Sequence, residues 1–268
     1  MKNQRPKGVL SKSKGKSLTK DQKKKTSLTS ALLYLFLLIA IPLFMPQIPF
    51  FIRSAEAATI YVDNQLPVDV CYGTYSIANR DCSGSDGNAY KRPQDAADVV
   101  EPGYTVYFRE GTYYQHDDLF IRTPVMRILR SGTPDNPITF KNYNNEEVIF
   151  SGMRPGRDGH YRVITLGIAP SDQADVSGQG VQNIIIDGLI VEGASSTALG
   201  IYGPANRYGA PENPTENVII RNVIARNNGG SGPTGGIISN GKVVNLVIEY
   251  CDCLLYTSPS PRDRQKYR

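Results

Sequence analysis

Five side chains of the kinds that bind anions or move protons lie near short glycine-containing strands: Arg162, Tyr202, Arg207, Tyr208 and Lys242. An arginine can hold a carboxylate through paired hydrogen bonds, whereas a lysine amine or a tyrosine phenol can act as a general base. Lys242 is one of three lysines between residues 58 and 252, and it follows a predicted strand. We therefore take it as the candidate base, with an ordinary solvated turn lysine as the alternative interpretation.

Other catalytic patterns are weak. Asp172 and Asp175 share one long loop and Asp86 lies in a glycine-rich segment, but their spacing matches no calcium-binding motif. His116 and His160 are isolated, so we interpret both as loop residues. The glycine-containing strands hold no Asp or Glu, which argues against the paired carboxylates of a glycoside hydrolase centre.

The cysteines favour a disulfide over a zinc site. Cys71 and Cys82 share one loop rich in Gly, Asp and Ser, and such a short-loop pair in an exported chain predicts a disulfide. Cys251 lies at an apolar strand position. The chain has no two C-x-x-C pairs, so a structural zinc site is not expected.

Three Asn-led segments repeat along the second half of the chain, over residues 183–188, 217–222 and 245–250, at steps of 34 and 28. Glycine-containing strands are predicted between them, over 163–166, 199–202 and 236–239. Earlier strands are predicted over 59–62, 105–108, 138–140 and 148–150, and a helix over 92–100. Such short strands cannot bury a face alone, so successive repeats must stack.

This stacking predicts a parallel β-helix. Alternation within the Asn-led segments places Ile186, Ile220 and Ile248 inward as an aliphatic stack. Gly188 and Asn222 are predicted to form sharp bends, where an inward Asn would bond the backbone of a neighbouring coil. A β-sandwich is the alternative, but it would need hairpin turns between adjacent strands.

The two ends of the chain differ in charge from its middle. Residues 1–57 carry 11 basic and 2 acidic side chains, residues 58–252 carry 15 and 22, and residues 253–268 carry 4 and 1. The foldable part is thus acidic, which gives no support to a nucleic-acid partner. Ten of the basic side chains precede an apolar run over 31–45 and an Ala-Glu-Ala site at 55–57, which predicts a signal peptide. An uncleaved membrane anchor is the alternative, and both place the folded part in a secreted or extracytoplasmic location.

Residues 253–268 have a different origin in our interpretation. Eleven consecutive residues, 253–263, resemble one reading frame of a sequencing-library transposon adapter. We expect this segment to be an artefact, and the protein to be truncated at the C-terminal end of its repeats. A natural basic, proline-rich tail is the alternative.

The chain resembles the right-handed parallel β-helix superfamily of pectate-lyase-like proteins. The stretches that carry the resemblance are residues 92–97, 101–107, 110–113, 131–133 and 137–140, followed by the Asn-led repeats. The resemblance implies an all-β fold with an N-terminal cap region over 58–104, including a capping helix, and coils over 105–252. Tyr104 departs from the family, where many members carry Asp at this turn.

The resemblance also implies where a ligand would lie. Substrates in this family lie along the sheet of glycine-containing strands, so Arg162, Tyr202, Arg207 and Tyr208 are expected to bind substrate and Lys242 to be the catalytic base. A polysaccharide lyase acting by β-elimination on an acidic polysaccharide is the implied activity, with calcium as a possible cofactor. The alternative is a non-catalytic surface protein for adhesion or glycan binding.

Overall fold

The structure is a computed structural model, and it describes residues 58–115, 123–153, 162–168, 180–204, 213–229 and 235–254. The predicted signal segment 1–57 and most of the predicted adapter segment lie outside these residues, so both stay predictions. Within the described ranges, no helix has the length and apolar character to cross a membrane.

The regular secondary structure of the described residues is almost entirely β. The single helix among them is α1 (Pro93–Val99), close to the predicted bounds. The strands are β1 (Thr59–Val62), β2 (Val70–Cys71), β3 (Asn88–Tyr90), β4 (Thr105–Phe108), β5 (Gly111–Tyr114), β6 (Met126–Ile128), β7 (Ile138–Asn142), β8 (Val148–Ser151), β9 (Arg162–Leu166), β10 (Gln182–Asp187), β11 (Ile190–Glu192), β12 (Thr197–Tyr202), β13 (Thr215–Arg221), β14 (Ile224–Arg226), β15 (Gly235–Asn240), β16 (Val243–Glu249) and β17 (Asp252–Leu254).

These strands form three sheets with eight, five and four strands. The eight-stranded sheet has the order β16-β13-β10-β7-β4-β1-β3-β2, the five-stranded sheet β17-β14-β11-β8-β5, and the four-stranded sheet β15-β12-β9-β6. Among the paired strands, only β2 and β3 run antiparallel. The chain visits the three sheets in turn and returns one position further along each, which is a parallel β-helix. The predicted fold is confirmed, and the sandwich is excluded because neighbouring strands are parallel rather than joined by hairpins.

The interior consists of apolar side chains stacked in register. Ile186 pairs with Ile220, and Ile220 pairs with Ile248, as predicted. Ile186 and Ile220 are fully buried, whereas Ile248 in the last described coil is 48% exposed. The last described strand begins at Asp252, so the predicted strand position of Cys251 is wrong, and this half-buried residue lies in the corner before that strand.

The corners between the eight-stranded and five-stranded sheets are tight and repeat in each later coil. Gly188, Asn222 and Tyr250 occupy them, with φ angles of 70°, 53° and 51°. The predicted bends at Gly188 and Asn222 are confirmed. The predicted role of an inward Asn there is wrong, because Asn222 is exposed and donates to the side chain of Asp187 at 2.8 Å.

A ladder of asparagine side chains lies instead at the first residue of each Asn-led segment. Asn245 Nδ2 donates to Asn217 Oδ1 at 3.0 Å, and Asn217 Nδ2 donates to Asn183 Oδ1 at 3.1 Å. Asn183 Nδ2 then donates to the carbonyl oxygen of Gly132 at 3.1 Å. The three asparagines have φ between 52° and 55°, a left-handed conformation that Asn adopts more readily than other non-glycine residues. The ladder therefore links coil to coil through side chains.

Replacing Asn217 tests the two contributions of the ladder separately. Asn217→Ala should lower the free energy of unfolding by about 2 kcal/mol, because it removes two hydrogen bonds and places alanine at positive φ. Asn217→Gly should cost about 1 kcal/mol, since glycine tolerates this φ and only the hydrogen bonds are lost. Urea unfolding measures both. Asn213→Ala, at an exposed position, is the control. Equal losses of unfolding free energy in Asn217→Ala and Asn217→Gly would contradict the contribution assigned to the positive φ.

A second, smaller core packs on the outside of the eight-stranded sheet. The Cys71–Cys82 disulfide, predicted from the sequence, closes a loop whose Tyr75 is fully buried against Tyr61 of β1. Tyr61 also lies in register with Tyr107 of β4, and their ring centroids are 5.9 Å apart. This loop is therefore held on the sheet by both aromatic packing and a covalent link.

A buried ion-pair network fixes the same loop. Asp63 is 0% exposed and accepts hydrogen bonds from Arg80 Nε at 2.9 Å, Arg80 Nη2 at 2.7 Å and Tyr75 Oη at 2.8 Å. Arg109 Nη1 donates to Tyr75 Oη at 2.9 Å and Arg109 Nε to Glu146 Oε2 at 2.9 Å. Burial raises the pKa of Tyr75, and the hydrogen bond to the Asp63 carboxylate raises it further. Both carboxylates of the network, Asp63 and Glu146, are paired with arginines, so the network stabilises the fold.

Candidate functional site

The four-stranded sheet is the one built from the glycine-containing strands. Its inner rows, which include Ile164 with Leu199 and Leu166 with Ile201, are fully buried in the core. The alternate positions form a row on the other face: Arg127 of β6, Thr165 of β9, Gly200 of β12 and Ile238 of β15. We call this row with its surroundings the outer face of the four-stranded sheet.

Two of the predicted substrate-binding residues contact each other on this sheet. Arg162 Nε donates to Tyr202 Oη at 3.2 Å, and the Arg162 guanidinium carbon lies 5.5 Å from the centre of the Tyr202 ring. The Tyr202 ring folds back over Gly200, where a Cβ would overlap its Cε2. Arg162 is only 4% and Tyr202 only 5% exposed. The structure thus brings the two together but gives neither an open surface toward solvent.

Lys242 lies at the corner between β15 and β16. Its side chain is exposed, as expected of a turn lysine. Its backbone is hydrogen-bonded to residues of the previous coil. Its amide donates to the carbonyl oxygen of Pro204 at 3.3 Å, and its own carbonyl accepts from the amide of Thr215 at 3.1 Å. Gly203 packs directly on the Lys242 backbone with no room for a Cβ. Because Gly203 follows Tyr202, the candidate base sits beside the end of the strand that carries Tyr202.

The remaining expected site residues can be placed only in part. Arg207 and Tyr208 lie outside the described residues, as do Asp172, Asp175, His116 and His160. Asp86 accepts a hydrogen bond from the amide of Ile77 at 2.8 Å, which is the behaviour of a turn carboxylate. Within the described ranges, no three His, Cys, Asp or Glu side chains converge in a way that could hold a metal ion.

A cavity of about 270 Å³ lies where α1 meets β6. Polar side chains on its wall include Arg92, Arg127, Tyr114 and Gln115. The sequence analysis missed this site because β6 was not predicted. The signal was present in the alternation of Val125, Met126, Arg127, Ile128 and Leu129, which puts one arginine between two buried apolar positions.

The charge of the four-stranded sheet differs from that of the rest of the domain. Its described strands carry Arg127 and Arg162 and no Asp or Glu. The eight-stranded sheet instead carries charges of both signs, such as Asp187 paired with Arg221 at 3.0 Å. The four-stranded sheet is therefore the most basic of the three within an acidic domain.

Comparison with known proteins found one curated relative and three solved structures. No family model matches the chain. A curated protein of Bacillus subtilis strain 168, described as the uncharacterized protein YwoF, is 32% identical over 126 residues, which are 45% of this chain and 24% of that protein. The chain thus spans about a quarter of this relative.

Three solved structures match the chain at low identity and low TM-score. A rhamnogalacturonan lyase has 18% identity and a TM-score of 0.37, over 72% of this chain and 50% of that one. An alginate lyase from Paenibacillus has 15% identity and a TM-score of 0.30, over 58% and 63%. The pectate lyase Pel9A has 14% identity and a TM-score of 0.27, over 72% and 62%. The resemblance drawn from the sequence is confirmed as a fold, and the strand pairing described above establishes that fold.

Proposed function

We propose that the protein is an exported, polysaccharide lyase-like enzyme that acts on an acidic polysaccharide at the four-stranded sheet. The observation that carries the proposal is the charge of this sheet, whose described strands have two arginines and no carboxylate. In a domain with more acidic than basic side chains, a polyanion would be repelled elsewhere and accepted here. The disulfide between Cys71 and Cys82 supports export, because disulfides persist in oxidising compartments.

The chemistry of β-elimination requires two groups. An arginine beside Lys242 would neutralise the uronate carboxylate, which makes the proton on the adjacent carbon acidic, and Arg207, one of the predicted substrate-binding residues, is the candidate for this role. The unprotonated amine of Lys242 would remove that proton, the carbon–oxygen bond to the next sugar would break, and the electron pair of the C–H bond would become the new double bond. The leaving sugar oxygen takes up a proton. Tyr202 and Arg162, being buried, would position the strand end beside Lys242.

Calcium has no site among the described residues. Asp86 is engaged by the backbone, and no cluster of hard oxygen ligands accompanies it. We therefore derive no step through calcium, and we assign carboxylate neutralisation to arginine.

The non-catalytic alternative, adhesion or glycan binding, has one observation in its favour. Arg162 and Tyr202 contact each other and are nearly fully buried, so they form a structural pair. A protein that only binds a glycan does not need an exposed base and a carboxylate-neutralising group at the same place.

The Lys242→Ala variant tests the enzyme against the alternative. The 268-residue chain should release unsaturated uronates from polygalacturonate, alginate or rhamnogalacturonan, measured by their ultraviolet absorbance. Lys242→Ala should lower the rate by about 10²-fold or more, because it removes the general base. Lys141→Ala, on the eight-stranded sheet, is the matched control and should retain full rate.

The three outcomes separate cleanly. Activity that survives in Lys242→Ala would remove Lys242 from the mechanism. Polysaccharide binding without any unsaturated product would favour the glycan-binding alternative. Neither binding nor product with any acidic polysaccharide would overturn the proposed function.

A further inference from the structure

The four-stranded sheet is closed at one end by the side chain of Gln94. β6 is the edge strand of this sheet, so its outer backbone groups have no strand partner. Gln94 of α1 supplies the missing bonds, since its Oε1 accepts from the amide of Arg127 at 2.8 Å and its Nε2 donates to the carbonyl of Arg127 at 3.1 Å. The side-chain amide of Gln94 thus makes the two backbone hydrogen bonds that a neighbouring strand would make. The helix therefore ends the four-stranded sheet at this point.

The cavity of about 270 Å³ lies at this closed end. Arg127 belongs both to its wall and to the outer row with Thr165 and Gly200, so the cavity and the outer face share a residue. Its volume lies just below the range of about 300–1,000 Å³ found for sites of drug-sized ligands. A single sugar unit is therefore the size of ligand that it suits.

The lining of the cavity has the composition of a site for a charged sugar. Tyr114 is 38% exposed and offers an aromatic ring, the usual partner of a sugar face. Arg92 and Arg127 supply two positive charges, and the nearby carboxylates are Asp95 on the wall and Asp69, which lies 3.6 Å from Arg92. Gln115, which is only 8% exposed, adds a side-chain amide to the wall.

We propose that this cavity binds the terminal carboxylated sugar of an acidic polysaccharide, so that the protein engages its ligand from a chain end. The inference rests on the proposed function for its ligand class and adds the place and direction of binding. The terminal sugar stacks on Tyr114, its carboxylate pairs with Arg127, and the rest of the chain leaves the cavity toward solvent.

The test is a calorimetric titration of the 268-residue chain with trigalacturonate and with a mannuronate trisaccharide. Arg127→Gln should weaken binding by about tenfold or more, because it removes a charge-assisted hydrogen bond to a carboxylate. Tyr114→Ala should also weaken it. Arg130→Gln is the matched control, because Arg130 is an exposed arginine three residues along that does not line the cavity. Thermal melting checks that each variant is folded. If Arg127→Gln does not fold, the result for Tyr114→Ala decides the test.

A second titration tests the direction of binding. Polygalacturonate of short and long average length is compared at equal mass, and the stoichiometry should follow the number of chain ends. Stoichiometry that follows mass instead would overturn chain-end binding. Trisaccharide binding that is unchanged in both Arg127→Gln and Tyr114→Ala would place the ligand elsewhere and overturn the inference alone. Failure of every acidic probe to bind wild type would overturn the proposed function as well.

Discussion

Replacing Asp63 with alanine is expected to lower the free energy of unfolding by about 3–5 kcal/mol. Asp63 is fully buried, and its carboxylate is the shared acceptor of Arg80 and Tyr75. Removing it leaves the Arg80 guanidinium, which is only 16% exposed, without its carboxylate partner. The cost of a buried charge that has lost its partner exceeds that of most surface substitutions.

The contribution of Asp63 should also depend on pH. Burial alone would raise the pKa of Asp63, but the hydrogen bonds from Arg80, from the amide of Gln65 and from Tyr75 outweigh burial and hold this pKa below its ordinary 3.8. A group with a lowered pKa stabilises the fold above its unfolded pKa, and this stabilisation is lost as the pH falls through the folded value. Asp63→Asn should therefore flatten the acid side of the stability profile.

Urea unfolding between pH 7 and pH 2 measures both effects. Asp69→Ala is the control, because Asp69 pairs with Arg92 at 3.6 Å but its side chain is 67% exposed. An exposed pair of this kind contributes about 0–1 kcal/mol. If Asp63→Ala and Asp69→Ala lower the free energy of unfolding equally, burial of the network adds nothing to stability and the prediction is wrong.

Replacing Phe108 with alanine should destabilise the first coils by about 3–5 kcal/mol. Phe108 is fully buried, and its ring centroid lies 5.0 Å from that of Phe150, 5.9 Å from Tyr113 and 6.5 Å from Phe140. These partners come from the five-stranded and eight-stranded sheets, so the ring fills the space between sheets. Truncation leaves a cavity that the rigid coils on either side cannot collapse.

Two variants bracket this effect in thermal and urea unfolding. Phe108→Leu keeps most of the buried volume and should cost much less than alanine. Tyr72→Ala removes an aromatic ring that is 73% exposed and should leave the stability within about 0.5 kcal/mol of wild type. A loss for Phe108→Ala no larger than that for Tyr72→Ala would contradict the packing argument.

The coil architecture could be predicted from the sequence because its signals are local and repeated. The strand over Thr59–Val62 and the Ile186–Ile220–Ile248 stack follow from alternation and from the repeat itself. The asparagine ladder was missed although its residues mark every repeat. Alternation predicts which residues point inward but not which backbone positions have positive φ, and the ladder depends on that backbone conformation.

The candidate site was less predictable for a different reason. Residue types indicated Arg162, Tyr202 and Lys242, but not that the first two would be buried against each other. Gln94 and Arg127 are 33 residues apart in sequence and meet only because the helix lies on the edge of β6. Contacts of this kind depend on the packing of a helix against a sheet edge, and no sequence period encodes them.

The tight corners between the eight-stranded and five-stranded sheets determine where this protein can change in evolution. Two residues separate β10 from β11, β13 from β14 and β16 from β17. An added residue there would shift one strand and break its register with the coils on both sides. The connection from the four-stranded sheet back to the eight-stranded sheet instead varies from two residues after β15 to fifteen after β9. Insertions and deletions among relatives should therefore accumulate beside the four-stranded sheet while the coil itself stays the same.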